Sequence, residues 1–188
     1  MLANVSGAES VQLVVGLGNP GVGHAEDRHN VGFWLVDALA NKLKVELRVE
    51  SRYTGELGRA ASGLRLLKPA TFMNRSGDAV APCATYFRIP PPAVLVVHDE
   101  LDLPVGTVRL KRGGGHGGHN GLRSIEQMLG SSIICAFASA SVIRVSDAMS
   151  QAMCYHVRRP PNARPSRPPS APCWTTSKPS SMVISTAP

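Results

Sequence analysis

Seven residues, Val11–Leu17, run through β-branched and aliphatic side chains almost without interruption and end on a glycine turn, Gly16-Leu-Gly-Asn-Pro-Gly21. Such a run suits a central strand covered on both faces. From Asn30 to Leu43 the apolar positions Val31, Trp34, Leu35, Ala38, Leu39 and Leu43 recur at intervals of three and four, which predicts a helix laying one face on a sheet. His29 stands ten residues past Asn19, where that helix should begin. A buried strand, a glycine turn and a helix start in succession define an α/β chain, and such folds gather their sites at the carboxyl ends of the strands.

The rest of the chain fits that class. Val45–Val49, Tyr53–Ala61 and Leu64–Leu67 alternate or run apolar between Ser, Gly and charged breaks, and predict a meander of short strands. A loop at 68–77 leads into a helix over Asp78–Phe87. Pro82 conflicts with a helix interior, at roughly 3 kcal/mol, so it is expected in the first turn or at a break. Pro90–Pro92 reads as a stiff connector, Val94–Val97 as a second buried strand and Thr107–Lys111 as an alternating one. The glycine cluster 113–121 then opens a helix through Leu122, Ile125, Met128 and Leu129, stopped by Gly130.

A length of 188 residues suits one domain. Of the net charge of +7, residues 1–130 carry only +2, from 14 Lys+Arg and 12 Asp+Glu, so overall basicity says little about a nucleic-acid partner. The four cysteines, Cys83, Cys135, Cys154 and Cys173, show no C-x-x-C spacing, which suggests a reduced, intracellular setting without a zinc knuckle. No apolar run approaches membrane length, and the start lacks the marks of a signal peptide. A soluble, cytoplasmic protein is expected, with mitochondria as the weaker alternative. Residues 158–188 hold 8 prolines and few large apolar groups, so about the last thirty residues are expected to be disordered.

Several groups compete for the chemistry. Gly16-x-Gly18-x-x-Gly21 matches a dinucleotide fingerprint, but Asn19–Gly23 prolongs the turn and no acidic residue follows at the end of a second strand, so a tight turn is the better reading. His29, Asn19, Asn74 and Asn120 lie at strand ends or in glycine-rich loops, and Asp99 closes the 94–97 strand. A carboxylate there can hold a histidine in the tautomer that takes a proton from water. With no evident serine or cysteine nucleophile, attack by water is favoured. His98, Asp99, Glu100, Asp102, His116 and His119 could instead ligate a metal, though their spacing fixes no geometry. Arg109, Lys111 and Arg112 beside Gly113–Gly121 make either an anion cradle or a solvated strand and loop.

Taken together, GLGNPG at 16–21, RHNVGF at 28–33, KPATFMNRSG at 68–77, HDELDLPVG at 98–106 and RLKRGGGHGGHNGLRSI at 109–125 resemble the bacterial-type peptidyl-tRNA hydrolase family in order and spacing. The resemblance implies a single α/β domain with a mixed, twisted sheet sandwiched between helices over residues 11–132, after a flexible start at 1–10. It implies hydrolysis of the ester joining a peptide to the 3′ ribose of tRNA, without metal or other cofactor, by a monomer with no obligate protein partner. His29 would be the base, Asp99 its orienting partner, and Asn19 part of the catalytic set. Asn74, Asn120, Met73 and His119 would bind substrate, and Arg109 and Lys111 would meet tRNA phosphate.

Two departures stand out. His24, at the substrate, replaces the family's usual tyrosine. After Gly130 the family continues with an arginine-rich strand of the type R-L-R-x-G-I-G, a lid and a C-terminal helix, whereas this chain has IICAFASASVIRVSD and a proline-rich run, as after a frame change or alternative splice. The divergent tail, 133–188, is therefore expected to leave a central strand missing, and the product poorly stable. The alternative to the enzyme is a weak or inactive truncated isoform that at most binds RNA.

Overall fold

The computed structural model describes residues 10–21, 28–99, 107–112, 115–130, 134–138, 174–178 and 181–185. Its strands are β1 (Leu13–Gly16), β2 (Arg48–Glu50), β3 (Gly55–Arg59), β4 (Arg65–Pro69), β5 (Val94–Asp99), β6 (Thr107–Arg112), β7 (Ile134–Ala138), β8 (Trp174–Lys178) and β9 (Ser181–Ser185). They form one sheet in the order β2-β3-β4-β1-β5-β7-β6-β9-β8. The helices are α1 (Val31–Leu43), α2 (Ser76–Tyr86) and α3 (Asn120–Leu129). β1 runs parallel to β4 and β5, and β5 parallel to β7, while β2/β3, β3/β4, β6/β7, β6/β9 and β8/β9 are antiparallel. The sheet is thus mixed, as the family resemblance implied.

The alternation of side chains along each central strand sorts them into two cores. Val14, Leu66, Leu95 and Val97 meet Val31, Leu35, Val36 and Leu39 of α1 on one face. Leu13, Val15, Leu67, Val94 and Val96 meet Val80, Cys83 and Ala84 of α2 and Leu122 and Ile125 of α3 on the other. Each fully buried Val or Leu contributes roughly 1.5–3 kcal/mol. α1 approaches β1 at backbone contact, because both residues at the crossing are glycine. A Cβ on Gly16 would lie 2.1 Å from the Gly32 carbonyl oxygen, and one on Gly32 would lie 2.3 Å from the Leu17 nitrogen. The first glycine of the turn therefore serves helix packing.

Two expectations need correcting. Pro82 neither starts nor breaks α2 but lies in its second turn. Its ring is on the exposed side, and the only backbone bond lost is the one to the Asp78 carbonyl, so the helix continues to Tyr86. The central strand after Gly130 is not missing either. Ile134–Ala138 fills the slot between β5 and β6, with Ala136 in register with both Val97 and Leu110. A ladder of backbone hydrogen bonds does not need arginine; five residues free of Gly and Pro suffice. The exposed edge expected beside β5 is covered, and the instability inferred from it loses its ground. The expected disorder of the tail falls mostly on residues outside the described ones. Within them, β9 pairs with β6 and β8 with β9.

Candidate active site

The chain leaves β1 for α1 on one face, reaches β4 through the meander, and crosses to β5 through α2 on the other face. The strand order therefore reverses beside β1, and a crevice opens beyond the carboxyl ends of β1, β4 and β5, where open α/β sheets bind ligands. Five segments end there. β1 delivers Gly18 and Asn19, β4 leads to a turn of 3-10 helix at Met73–Arg75, and β5 ends in His98 and Asp99. A second 3-10 turn, Arg28–Asn30, carries His29 into α1, and α3 begins with His119 as its cap and Asn120 as its first residue.

The pleat of β5 turns His98 toward α3 and Asp99 toward α1. Asp99 Oδ2 lies 2.7 Å from His29 Nδ1, with the carboxylate 9% and the imidazole 58% exposed. A carboxylate beside Nδ1 keeps the proton on that nitrogen and leaves Nε2 a free base facing solvent. The other oxygen, Oδ1, is buried 3.6 Å from His119 Nε2. That is longer than a hydrogen bond, so the His119 ring acts on the carboxylate through the dipole of its N–H. Burial raises the Asp99 carboxyl, but His119 and His29 together outweigh it and hold the group below its ordinary value, ionised.

The neighbouring imidazoles are fixed by the backbone. His119 Nδ1 accepts from the Leu122 N–H at 3.3 Å, which leaves its proton on Nε2, toward Asp99. His98 Nδ1 donates to the Asp99 carbonyl at 2.7 Å, and its ring centroid is 4.4 Å from that of His119. Burial first, and His119 second, push the His98 imidazole down to about 4, so it is neutral. Among the described residues, His98, Asp99 and His119 are the group whose ligand atoms cluster, within 4.8 Å. The proton on His119 Nε2 works against metal binding there, since a ligating nitrogen needs its lone pair. His116 Nδ1 accepts from the Gly118 N–H, and Glu100 and Asp102 lie outside the described residues.

The asparagines are fixed by their carbonyl oxygens. Asn19 Oδ1 accepts from the Met73 N–H at 3.0 Å, and Asn120 Oδ1 from Arg123 Nη2 at 3.0 Å. Each keeps its amide N–H2 as a donor. Asn74 is exposed in the Met73–Arg75 turn, and Met73 itself is half-buried. Asn30 was not singled out from the sequence, where an asparagine before a helix reads as an ordinary cap. It occupies that position but makes no side-chain cap bond and instead holds Asn19. Arg109, exposed, and Lys111, half-buried, share one face of β6, and Arg109 is in register through Phe137 with His98. Two strand spacings put β6 about 10 Å from β5. His24, Gly113 and Gly114 lie outside the described residues.

Fold and site together define an α/β protein with a histidine–carboxylate pair in the switch-point crevice. A family model described as peptidyl-tRNA hydrolase matches residues 13–137. The peptidyl-tRNA hydrolase of Alkalilimnicola ehrlichii is 56% identical over 125 residues, 65% of this chain and 64% of that protein. That of Halorhodospira halophila is 57% identical over 122 residues, 63% of each chain. The crystal structure of peptidyl-tRNA hydrolase from Acinetobacter baumannii superposes with a TM-score of 0.65 at 43% identity, over 76% of this chain and 80% of that one. The chain belongs to the peptidyl-tRNA hydrolase family. It spans a little under two thirds of the length of these curated relatives.

Proposed function

We propose that the chain hydrolyses the ester between a peptide and the 3′ ribose of tRNA, with water as nucleophile. The observation that carries this reading is the 2.7 Å contact between the exposed His29 and the buried, ionised Asp99. His29 Nε2 takes a proton as the water oxygen attacks the ester carbonyl. Asp99 stabilises the imidazolium that forms. The amide donors of Asn19, Asn74 and Asn120 meet the negative charge growing on the carbonyl oxygen or hold the terminal ribose. The imidazolium returns its proton to the departing 3′ oxygen, giving a peptide carboxylic acid and a free tRNA 3′ hydroxyl. Met73 and His119 line the peptide path, and Arg109 and Lys111 contact tRNA phosphate; His24 is assigned to substrate binding by its sequence position alone. The reaction needs no metal, and the chain acts as a monomer in the cytoplasm.

The test is hydrolysis of a labelled N-acetyl-aminoacyl-tRNA by the purified chain, its His29→Ala and Asp99→Asn variants, and a chimera carrying a relative's C-terminal segment. The reading expects turnover in the unaltered chain, unaffected by chelator. His29→Ala should lower kcat by about 10³-fold or more, and Asp99→Asn by about 10²- to 10⁴-fold. Turnover that survives His29→Ala, or disappears with chelator, would sink the mechanism. Turnover only in the chimera would instead favour the non-catalytic isoform.

A further inference from the structure

We propose that Asn30 is a positioning residue for the same reaction, setting the place of the Asn19 amide relative to His29; the catalytic part of this inference rests on the hydrolase reading above. The Asn30 side chain grips one residue from both sides. Its Oδ1 accepts from the Asn19 N–H at 2.7 Å, and its Nδ2 donates to the Asn19 carbonyl at 3.2 Å. A side-chain amide here takes the part of a neighbouring strand, pairing with both backbone groups of one residue. Two bonds fix tilt as well as distance, which one bond would leave free.

The surroundings are built for this contact. Asn30 is 3% exposed and follows His29 directly, so it moves with the base. A Cβ on Gly18 would lie 2.6 Å from Asn30 Oδ1 and 2.9 Å from the Phe33 ring, so only glycine leaves room for the clamp. At its other end, Asn19 is tied to the turn after β4 by the bond from the Met73 N–H to its Oδ1. A chain of three contacts therefore joins the segments that carry His29, Asn19 and Met73. The freedom left to Asn19 is in its amide N–H2, which the reaction uses. Misplacing such a donor by about 1 Å costs on the order of 10²-fold in rate.

The experiment is a double-mutant cycle of Asn30→Ala with Asn19→Ala, read as kcat and KM on N-acetyl-aminoacyl-tRNA, together with hydrogen exchange of the Asn19 amide. Asn30→Ala should lower kcat by about 10- to 100-fold with KM within about 2-fold. In the Asn19→Ala background the same change should cost less than about 2-fold, because the group it positions is gone. Exchange of the Asn19 amide should accelerate at least about 10-fold in Asn30→Ala. Asn30→Asp, which retains the acceptor for the Asn19 N–H, serves if Asn30→Ala does not fold. Full multiplication of the two kcat losses, a change confined to KM, or unaltered exchange at Asn19 would each overturn the proposal. So would loss of the fold in both variants, which would make the contact purely structural. A chain without turnover fails the hydrolase reading alone, and the exchange measurement then decides whether Asn30 holds Asn19.

Discussion

At the scale of single residues, the site is a set of imidazoles and amides whose protons are assigned by fixed partners. The Asp99 carboxylate, the Leu122 N–H and the Asp99 carbonyl choose the tautomers of His29, His119 and His98 respectively. His98 carries a measurable consequence. It is 1% exposed, and burial lowers its imidazole to about 4 in the fold. Its value in the unfolded chain is about 6.5. Below pH 6.5 the unfolded chain therefore binds a proton that the folded chain refuses, so the contribution is complete above that pH and is lost as pH falls toward 4. The drop amounts to roughly 3 kcal/mol at most. Asp99, held below its ordinary value, loses its own contribution only at lower pH, as its carboxylate is protonated. Urea midpoints between pH 7 and 4 should fall for the unaltered chain and stay nearly level for His98→Asn, which keeps the donor at the Nδ1 position and does not titrate. Equal slopes for the two proteins would show that His98 is not the proton site.

At the scale of elements, the crevice depends on how closely α1 rides on β1. Gly32 is the second residue of α1, where alanine would ordinarily gain about 1 kcal/mol in helix propensity. Here its Cβ would lie 2.3 Å from the Leu17 nitrogen, 2.4 Å from the Leu17 oxygen and 2.5 Å from the Val97 oxygen, with no flexible side chain able to yield. Gly32→Ala should therefore destabilise the protein by at least about 2 kcal/mol in urea unfolding and lower turnover by displacing His29. A neutral or stabilising result would mean that the helix shifts without cost. This use of glycine shows where reading the sequence stops. Spacing exposed the strand before Gly16, the helix at Val31–Leu43 and the meander, because side-chain periodicity is local. It also placed His29 and Asp99 at element ends. It could not show that Gly16 answers Gly32 across the fold, that Asn30 turns back onto Asn19, or that ICAFA takes the slot beside β5. Those depend on contacts between segments distant in sequence, which periodicity does not record. Pro82 misled for a related reason: its cost in a helix is local, but the apolar face around Val80, Cys83 and Ala84 commits α2 to continue through it.

At the scale of the whole molecule, the proposed hydrolysis requires a nearly neutral domain to engage a polyanion. Residues 1–130 carry a net charge of only +2, so broad attraction is weak and placed cations must supply the contact. Arg109 and Lys111 sit on one face of β6, about 10 Å across the sheet from β5, a separation that allows a phosphate and the reacting ester to be engaged together. On the proposed hydrolase reading, removing either cation takes away a phosphate contact without touching the reacting atoms. Arg109→Ala and Lys111→Ala should each raise KM several-fold with kcat unchanged at saturation. Each should reduce the slope of log(kcat/KM) against log salt by about 1, and the double variant by about 2. The measurement is steady-state hydrolysis of N-acetyl-aminoacyl-tRNA across a salt series. A loss in kcat at constant KM would place these residues in the chemistry, and an unchanged salt slope would place the phosphate on another surface. The β6 edge beyond them is paired with β9, so on the proposed reading the phosphate is met on the face of the sheet and not along its edge.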